Sequence, residues 1–493
     1  MNVPASAAPS NGFDHSFDRE FDRTAVRAHC AALPAALPSI EWLTDNRVER
    51  LSQDFYWYSP VLKQQLDGRV ADIVARPKTE DEIRAVVAAC ASHGVPLTLR
   101  GSGTGNYGQC VPLCGGVLLD LSGFNQLLWV KDGAARAQAG SRLIDIDRAA
   151  QPQGWELRCV PSTFRSASIG GLYGGGFGGI GSINYGPLAC AGNVLGVRVM
   201  TMGATPRVLE LRAPEALLLH HAYGTNGIVL EVEVGLAPAH PWLEAIVSFD
   251  SFDAALAFGD ALANAPGIVK KSVSVMAAPI GDILMRASPY LAGAMPPTAH
   301  AVLVLVAEFS EAAMQQLVAR SGGSMTFRKT AEEVKKSNRT LAEYTWNHTT
   351  LHALKVDKNF TYIQSSFVPG QHLEQARKLH HLLGDEVPSH LEFIRNRDGL
   401  MTCSGLQLVR YTTEARLNET MQIHRDHGVH INNPHVYVVE DGKQGQINPD
   451  VVASKVRFDP QGLLNPGKLR GWGERERIMA DAAAGRIGLT ALP

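Results

Sequence analysis

The chain has 493 residues, with Lys+Arg 46 against Asp+Glu 48, a formal charge of −2, 45% hydrophobic and 19% charged residues. That balance lacks any basic run of the kind that binds nucleic acid or an anionic membrane surface, and no run of about 18 apolar residues offers a membrane span. Length alone gives roughly three domains' worth of material at ~150 residues each.

The first 39 residues lack the basic start and apolar run of a secretory signal and are expected to form a mobile tail. Seven cysteines (Cys30, Cys90, Cys110, Cys114, Cys159, Cys190 and Cys403) are scattered and odd in number. This pattern predicts reduced thiols and a cytoplasmic setting. Cys110 and Cys114 lack the second pair that a zinc site needs, so no metal is expected.

From about Ile40 the pattern is regular. Ala71 to Arg76 reads as a strand stopped by Pro77. Thr79 followed by Glu82 predicts a capped helix, with Ile83, Val86, Val87 and Cys90 on its buried face and Gly94 ending it. Pro96 to Arg100 is a strand feeding a glycine loop, Arg100 to Gln109. Gly116 to Leu121 and Gln126 to Val130 read as strands, and Arg142 to Gln153 as a helix.

Residues 160–186 then read VPSTFRSASIGGLYGGGFGGIGSINYG. Eight of the fifteen positions from Gly170 to Asn184 are glycine, and Asn184 is a ninth that suits neither a helix nor a central strand. Glycine costs about 1 kcal/mol against alanine in a helix. It is kept where backbone must approach something closely. Two glycine loops about 60 residues apart therefore predict backbone wrapped around one elongated ligand. Asn193 to Met202 and Arg207 to Leu211 form a predicted hairpin, and Gly227 to Leu236 an alternating strand.

After Pro238 to Trp242 the pattern repeats. Strands are expected at Glu244 to Phe249, Ser272 to Met276, Ala301 to Phe309, Phe360 to Phe367, Gly405 to Tyr411 and His435 to Val439. Helices are expected over Phe252 to Ala263 and Thr330 to His352, and a loop over Arg457 to Leu469.

Gly103-x-Gly105-x-x-Gly108 matches the dinucleotide fingerprint in letters only. That fingerprint needs a helix opening at the glycines, and Pro112, Gly115 and Gly116 forbid one. A phosphate nest of converging N–H groups, helped by Ser102, Thr104 and Asn106, fits better.

Several strips in fixed order carry a resemblance. They are Pro96 with Arg100-Gly101 and Gly103-Thr104; Pro161; Ser168-Ile169-Gly170-Gly171; Gly181-Ser182 with Tyr185-Gly186; Asn193 to Gly196; Gly224 to Val229; and Asp459-Pro460 through Lys468. Over about residues 65–240 and 457–470 the chain resembles the FAD-linked oxidases of the vanillyl-alcohol oxidase / p-cresol methylhydroxylase (PCMH) type. The resemblance implies an α+β fold: a two-part PCMH-type FAD-binding domain, 40–240 and 456–493, with an inserted α+β substrate (cap) domain, 241–455.

It also implies FAD contacts. Arg100, Gly101, Ser102, Gly103, Thr104, Gly105, Asn106, Gly108 and Gln109 would cradle the pyrophosphate. Pro161, Ser168, Ile169, Gly170, Gly171, Gly174, Gly175, Ser182 and Tyr185 would line the ribityl chain and flavin. Gly227, Ile228 and Val229 would meet the adenine, and Asn465 and Lys468 the ring. Many relatives attach flavin through a His in the first loop or a Cys in the second, and neither is present, so FAD is expected to be non-covalent.

His348, His352, Tyr362, His435 and Tyr437 are the candidate catalytic residues, with Arg395, Arg397, Arg410 and Tyr411 as further candidates. His348 and His352 are four apart on a predicted helix. His435 and Tyr437 alternate on a predicted strand. A histidine suits removal of a hydroxyl proton while hydride passes to flavin N5. In relatives acting on D-2-hydroxy acids an Arg falls about where His348 stands, and a His-x-Gly-Asp-Gly-Asn metal motif is present; this chain has neither. Both departures count against a simple 2-hydroxy acid. The expected partners are a small-molecule substrate and an electron acceptor, oxygen or another, in a possible homodimer. A non-redox flavoenzyme like the alkyl ether-lipid synthases and a flavin module without turnover are the alternatives.

Overall fold

The computed structural model describes residues 21–490, and the chain is α+β throughout. Ile73–Arg76, Val117–Asp120 and Leu97–Arg100 lie parallel in that spatial order, and Glu41–Leu43 adds antiparallel at one edge. The helix Glu80–Ser92 connects two of these strands. Thr79 Oγ1 accepts the Glu82 N–H at 3.2 Å, and Glu82 Oε2 accepts the Thr79 N–H at 3.3 Å. This reciprocal cap satisfies two donors that the first turn leaves open. Ile83, Val86, Val87 and Cys90 form the buried stripe.

Leu97 is bridged in parallel by Leu464, so the C-terminal strip returns to the first sheet. A buried pair fixes that return: Lys455 Nζ meets Asp459 Oδ2 at 2.7 Å, and Asp459 accepts the N–H groups of Leu463 and Leu464 at 3.0 and 2.8 Å.

The second sheet is antiparallel, in the order Leu127–Lys131, Ala134–Gln138, Ile228–Pro238, Val194–Met200 and Val208–Arg212, with Trp155–Leu157 paired to the end of Ile228–Pro238. The third sheet has eight antiparallel strands. Their order is Ser324–Lys329, Trp242–Phe249, His300–Ala307, Lys270–Met276, His390–Arg395, Met401–Gly405, Gln364–Ser366 and His430–Asn432. Its strand His300–Ala307 is buried on both faces from Ala301 onward, as its unbroken apolar run requires. Phe360–Tyr362 pairs separately with Leu408–Arg410.

Four segments differ from the sequence reading. Within the expected tail, Arg23–Ala36 is a helix capped by Asp22, with Val26, Cys30 and Leu33 buried; residues 1–20 lie outside the described residues. The glycine tract is helical at Ile169–Gly175 and Ser182–Tyr185. Tight packing offsets the propensity cost: a Cβ on Gly170 would come within 2.6 Å of Ala139 Cβ.

The expected single helix over Thr330 to His352 is broken. Ala331–Ser337 stops at Asn338, whose φ is 49°; a 3₁₀ turn follows at Leu341–Tyr344, and a second helix runs Asn347–Val356. His435 to Val439 forms no strand, so the alternation argument for His435 and Tyr437 fails.

Candidate cofactor and active site

One cavity of about 630 Å³ lies where the loops of the first two sheets face the third. Gln109 Nε2 donates to the Gly175 carbonyl at 2.8 Å and so ties the two glycine loops together at its wall.

The first loop is held from below. Arg100 Nη1 donates to the carbonyls of Leu51 and Gln53, both at 2.6 Å. Its guanidinium fills the space inside the turn at Gly103, where φ is 65° and a Cβ would collide with it. Arg100 is therefore committed to shaping the loop. Asp54 Oδ1 accepts the Gly108 N–H at 3.2 Å, while Lys468 Nζ donates to the Gly108 carbonyl at 2.5 Å. Burial pushes the Asp54 carboxyl up and the Lys468 ammonium down, each opposed by the other's charge. Asn465 Nδ2 donates to the carbonyls of Gln109 and Tyr223 at 2.8 and 2.7 Å.

The second loop lines the opposite flank. Ser168 Oγ caps the helix Ile169–Gly175 by accepting the Gly171 N–H at 3.3 Å. A Cβ on Gly174 would meet nothing within 4 Å, so this wall is left open for an occupant. The third segment runs from Leu217 to Val229. His221 and Tyr223 have φ of 53° and 55°, a region that bulky side chains occupy at a cost of about 1–3 kcal/mol. Trp346, at 52°, is the third such aromatic residue, and all three line the cavity.

The arrangement fits a dinucleotide flavin. Main-chain N–H groups from Ser102 to Tyr107 have no acceptor in the chain among the described residues. Their residues all line the cavity, whose surface mixes polar and apolar groups, as a pyrophosphate cradle requires.

Of the expected cofactor residues, Arg100 to Asn106, Gln109, Pro161, Ser168, Gly170, Gly171, Gly174, Gly175, Gly227 and Val229 line this cavity. The others stand behind the wall. Gly108, Asn465 and Lys468 lock the first loop. Ser182 Oγ accepts the Gly179 N–H at 3.0 Å. Tyr185 packs under Arg158, with the guanidinium 5.0 Å from its ring. Ile169 and Ile228 are core residues.

Of the five catalytic candidates, only His348 lines the cavity. Its Nδ1 lies 3.3 Å from the Glu343 carbonyl, and His352 Nε2 lies 3.2 Å from the same oxygen. A carbonyl only accepts, so both nitrogens carry hydrogen and His348 keeps Nε2 as an acceptor. Burial lowers the His348 pKa to about 4. His352 stacks on Tyr344, with ring centroids 4.6 Å apart.

His435 is buried, with Nδ1 at 2.8 Å from Ser59 Oγ and Nε2 at 2.8 Å from the Tyr362 carbonyl. Tyr362 is fully buried beneath the wall, and Tyr437 packs with Lys468 Nζ 5.2 Å from its ring centre. Arg397 lines the cavity, while Arg395 and Arg410 donate to the carbonyls of Gly399 and Asp385, and Tyr411 packs beside the third sheet's core.

The sequence reading missed Asp54, Phe55, Tyr58, Tyr107, Tyr223, Asn347, Gln364, Asn432 and Lys443 on this cavity. Only Tyr107 and Tyr223, inside or beside glycine strips, carried a local signal.

A family model described as an FAD binding domain matches residues 71–211. Among curated proteins, glycolate oxidase subunit GlcD of Escherichia coli (strain K12) is 30% identical over 255 residues, 50% of this chain and 50% of that protein. This chain thus aligns with about half the length of that relative. GlcD of Bacillus subtilis (strain 168) is 25% identical over 442 residues, 83% of this chain and 91% of that protein. A D-lactate dehydrogenase of Anaerostipes hadrus is 27% identical over 180 residues, 34% of this chain and 38% of that protein. The fold is shared with a solved alkyldihydroxyacetonephosphate synthase at a TM-score of 0.65, with 15% identity, covering 90% of this chain and 84% of that one. The matched segment carries both glycine loops and most of the strands that support them, and so this chain contains an FAD-binding domain of the kind shared by these FAD-linked relatives, with FAD as its cofactor.

Proposed function

We propose that the chain is an FAD-dependent oxidoreductase acting on a small hydroxylated anion of the hydroxy-acid class. The observation that carries this reading is the two-sided cavity. One wall is glycine backbone, and His348, Gln364, Ser404, Asn432 and Asn433 line the same cavity from the rest of the chain, with Arg397 and Lys443 beside them in the lining. FAD, when bound, would supply the acceptor for the hydride that leaves the substrate carbon with its two electrons.

The chain's own residues supply orientation and a proton acceptor. His348 is neutral at pH 7 and aligned through Nδ1, which leaves Nε2 to accept the hydroxyl proton. A substrate anion beside it would raise its proton affinity toward the range of an effective base. Arg397 and Lys443 both line the cavity and offer positive charge to a carboxylate; burial and the neighbouring Arg397 lower the Lys443 pKa, and Glu440 opposes that shift. They offer the cation that His348 does not. The names of the relatives, glycolate oxidase and D-lactate dehydrogenase, support the same substrate class.

FAD is held without a covalent link in this reading. Cys110 is the cysteine on the cavity, and burial pushes its thiol up to about 11, far from a reactive thiolate. The seven cysteines are all free thiols, which supports a reducing, cytoplasmic setting. Oxygen and an artificial dye, compared in steady state, would identify the electron acceptor.

The test is anaerobic mixing with hydroxy acids and with neutral alcohols of the same size. Loss of the oxidised-flavin band with the acids is expected. A flavin bleached faster by the neutral alcohols would overturn the anionic class. One left oxidised by every hydroxylated compound would overturn the redox reading.

A further inference from the structure

We propose that Glu392 is a positioning residue: its buried carboxylate holds the backbone of Trp346 in the turn that sets Trp346, Asn347 and His348 against the cavity. The inference rests on the reading of His348 given above and deepens it.

Glu392 sits on the strand His390–Arg395, 1% exposed, opposite Ser274 on the neighbouring strand. Its Oε1 accepts the Trp346 N–H at 2.8 Å and lies 2.9 Å from His390 Nε2. Its Oε2 accepts the Ser274 hydroxyl at 2.5 Å. Both carboxylate oxygens are thus fixed from the third sheet, and the free direction of Oε1 is spent on one backbone N–H.

That N–H belongs to a residue in an unfavourable conformation. Trp346 has φ 52° and ψ −141°, close to a region that is essentially glycine's alone. It is also the N-cap of the helix Asn347–Val356 and makes no side-chain cap bond. The conformation turns the chain out of the 3₁₀ segment Leu341–Tyr344 and into that helix at the cavity edge. A hydrogen bond to a carboxylate is about twice as strong as a neutral one, and so offsets strain of this size. Without it, residue 346 relaxes to negative φ, and the Trp346 ring and the first helical turn swing with it. The side chains carried are those the cavity uses: Trp346, Asn347, His348 and Leu351 line it. Trp346 Nε1 and Asn347 Oδ1 are buried there without partners.

The test compares Glu392→Ala and Glu392→Gln in the FAD-loaded protein, by two measurements. Hydrogen exchange at the Trp346 amide, resolved from overlapping peptides, reports the held turn without any substrate. Anaerobic flavin reduction reports its consequence. For Ala we expect exchange at that amide faster by about 10²-fold and reduction slower by about 10²-fold, the usual scale for a displaced proton acceptor. Gln keeps one oxygen for the N–H, so both changes should be smaller, with flavin content retained. Should Glu392→Ala fail to fold, Glu392→Leu, which fills the same space without an acceptor, decides on the same two readings.

Unchanged exchange in the folded variants would overturn the proposal. So would faster exchange with reduction at the wild-type rate. A wild-type protein whose flavin no substrate reduces would instead remove the functional reading on which the proposal stands, with the exchange result unaffected.

Discussion

Tyr107 donates its phenolic hydrogen to Gln364 Oε1 at 2.6 Å, joining two residues 257 positions apart. The first glycine loop is thereby fastened to the third sheet across the cavity. Tyr107→Phe removes only the hydroxyl and leaves a polar amide unpaired. It should cost about 1–2 kcal/mol in urea denaturation. It should also slow flavin reduction, because the two walls are no longer held in register. A variant with wild-type stability and wild-type reduction would show that the bond is idle.

Gly174 faces open space inside the cavity, and its helical conformation tolerates a side chain. Gly174→Leu should leave the apoprotein as stable as wild type or slightly more so, since glycine costs about 1 kcal/mol in a helix. The same change should abolish flavin retention by filling the cradle. The check is flavin absorbance per protein beside a melt of the apoprotein; full flavin content would place the cofactor elsewhere.

His435 is a structural residue in this architecture. The Ser59 hydroxyl donates to its Nδ1, its Nε2–H donates to the Tyr362 carbonyl, and Ser59 also caps the helix Pro60–Leu66. His435→Ala strands two buried partners and should destabilise the fold by about 2–4 kcal/mol. Flavin reduction in the folded fraction should stay near the wild-type rate. A deep loss of reduction at unchanged stability would return His435 to the chemistry.

Five histidines of this region have pKa values lowered by burial: His220, His348, His352 and His435 to about 4 and His221 to about 3. In the unfolded chain each titrates near 6.5. As pH falls below about 6.5 the unfolded state binds protons that the native state refuses, so stability falls toward acid. Glu244, raised to about 7 by burial, and Asp54, also raised by burial, act in the opposite sense, holding native-state protons that the unfolded chain releases. The imidazoles outnumber them. The urea midpoint should therefore drop between about pH 7 and pH 5. A flat profile would mean that these rings are solvated.

FAD should leave the protein on acid precipitation, giving a colourless pellet and a yellow supernatant. A yellow pellet would reveal a covalent link that neither glycine loop accounts for.

The sequence disclosed whatever is encoded locally. Thr79 and Glu82 announce their helix because a reciprocal cap is a matter of four adjacent residues. The glycine loops announce close approach to bare backbone, by packed neighbours at Gly170 and by the open cavity at Gly174. His348 lines the cavity, whereas the strand expected at His435 is absent, because alternation over five residues also describes an irregular segment anchored by Ser59. Asp54 and Gln364 were invisible. Their importance comes from Gly108 and Tyr107, residues 54 and 257 positions away, and no window along a chain records that distance. The helix Ile169–Gly175 was misread because propensity counts glycine's entropy and not the close approach to Ala139 that offsets it.

Asn465 and Lys468 grip the first glycine loop from 356 and 360 positions further along the chain. A nascent chain has already made residues 100–109 and 168–175 long before their clamp exists. Cofactor capture is thus deferred until residues 465 and 468 have been made, and a premature stop anywhere before Asn465 should yield a colourless polypeptide even with the residues of both glycine loops in place.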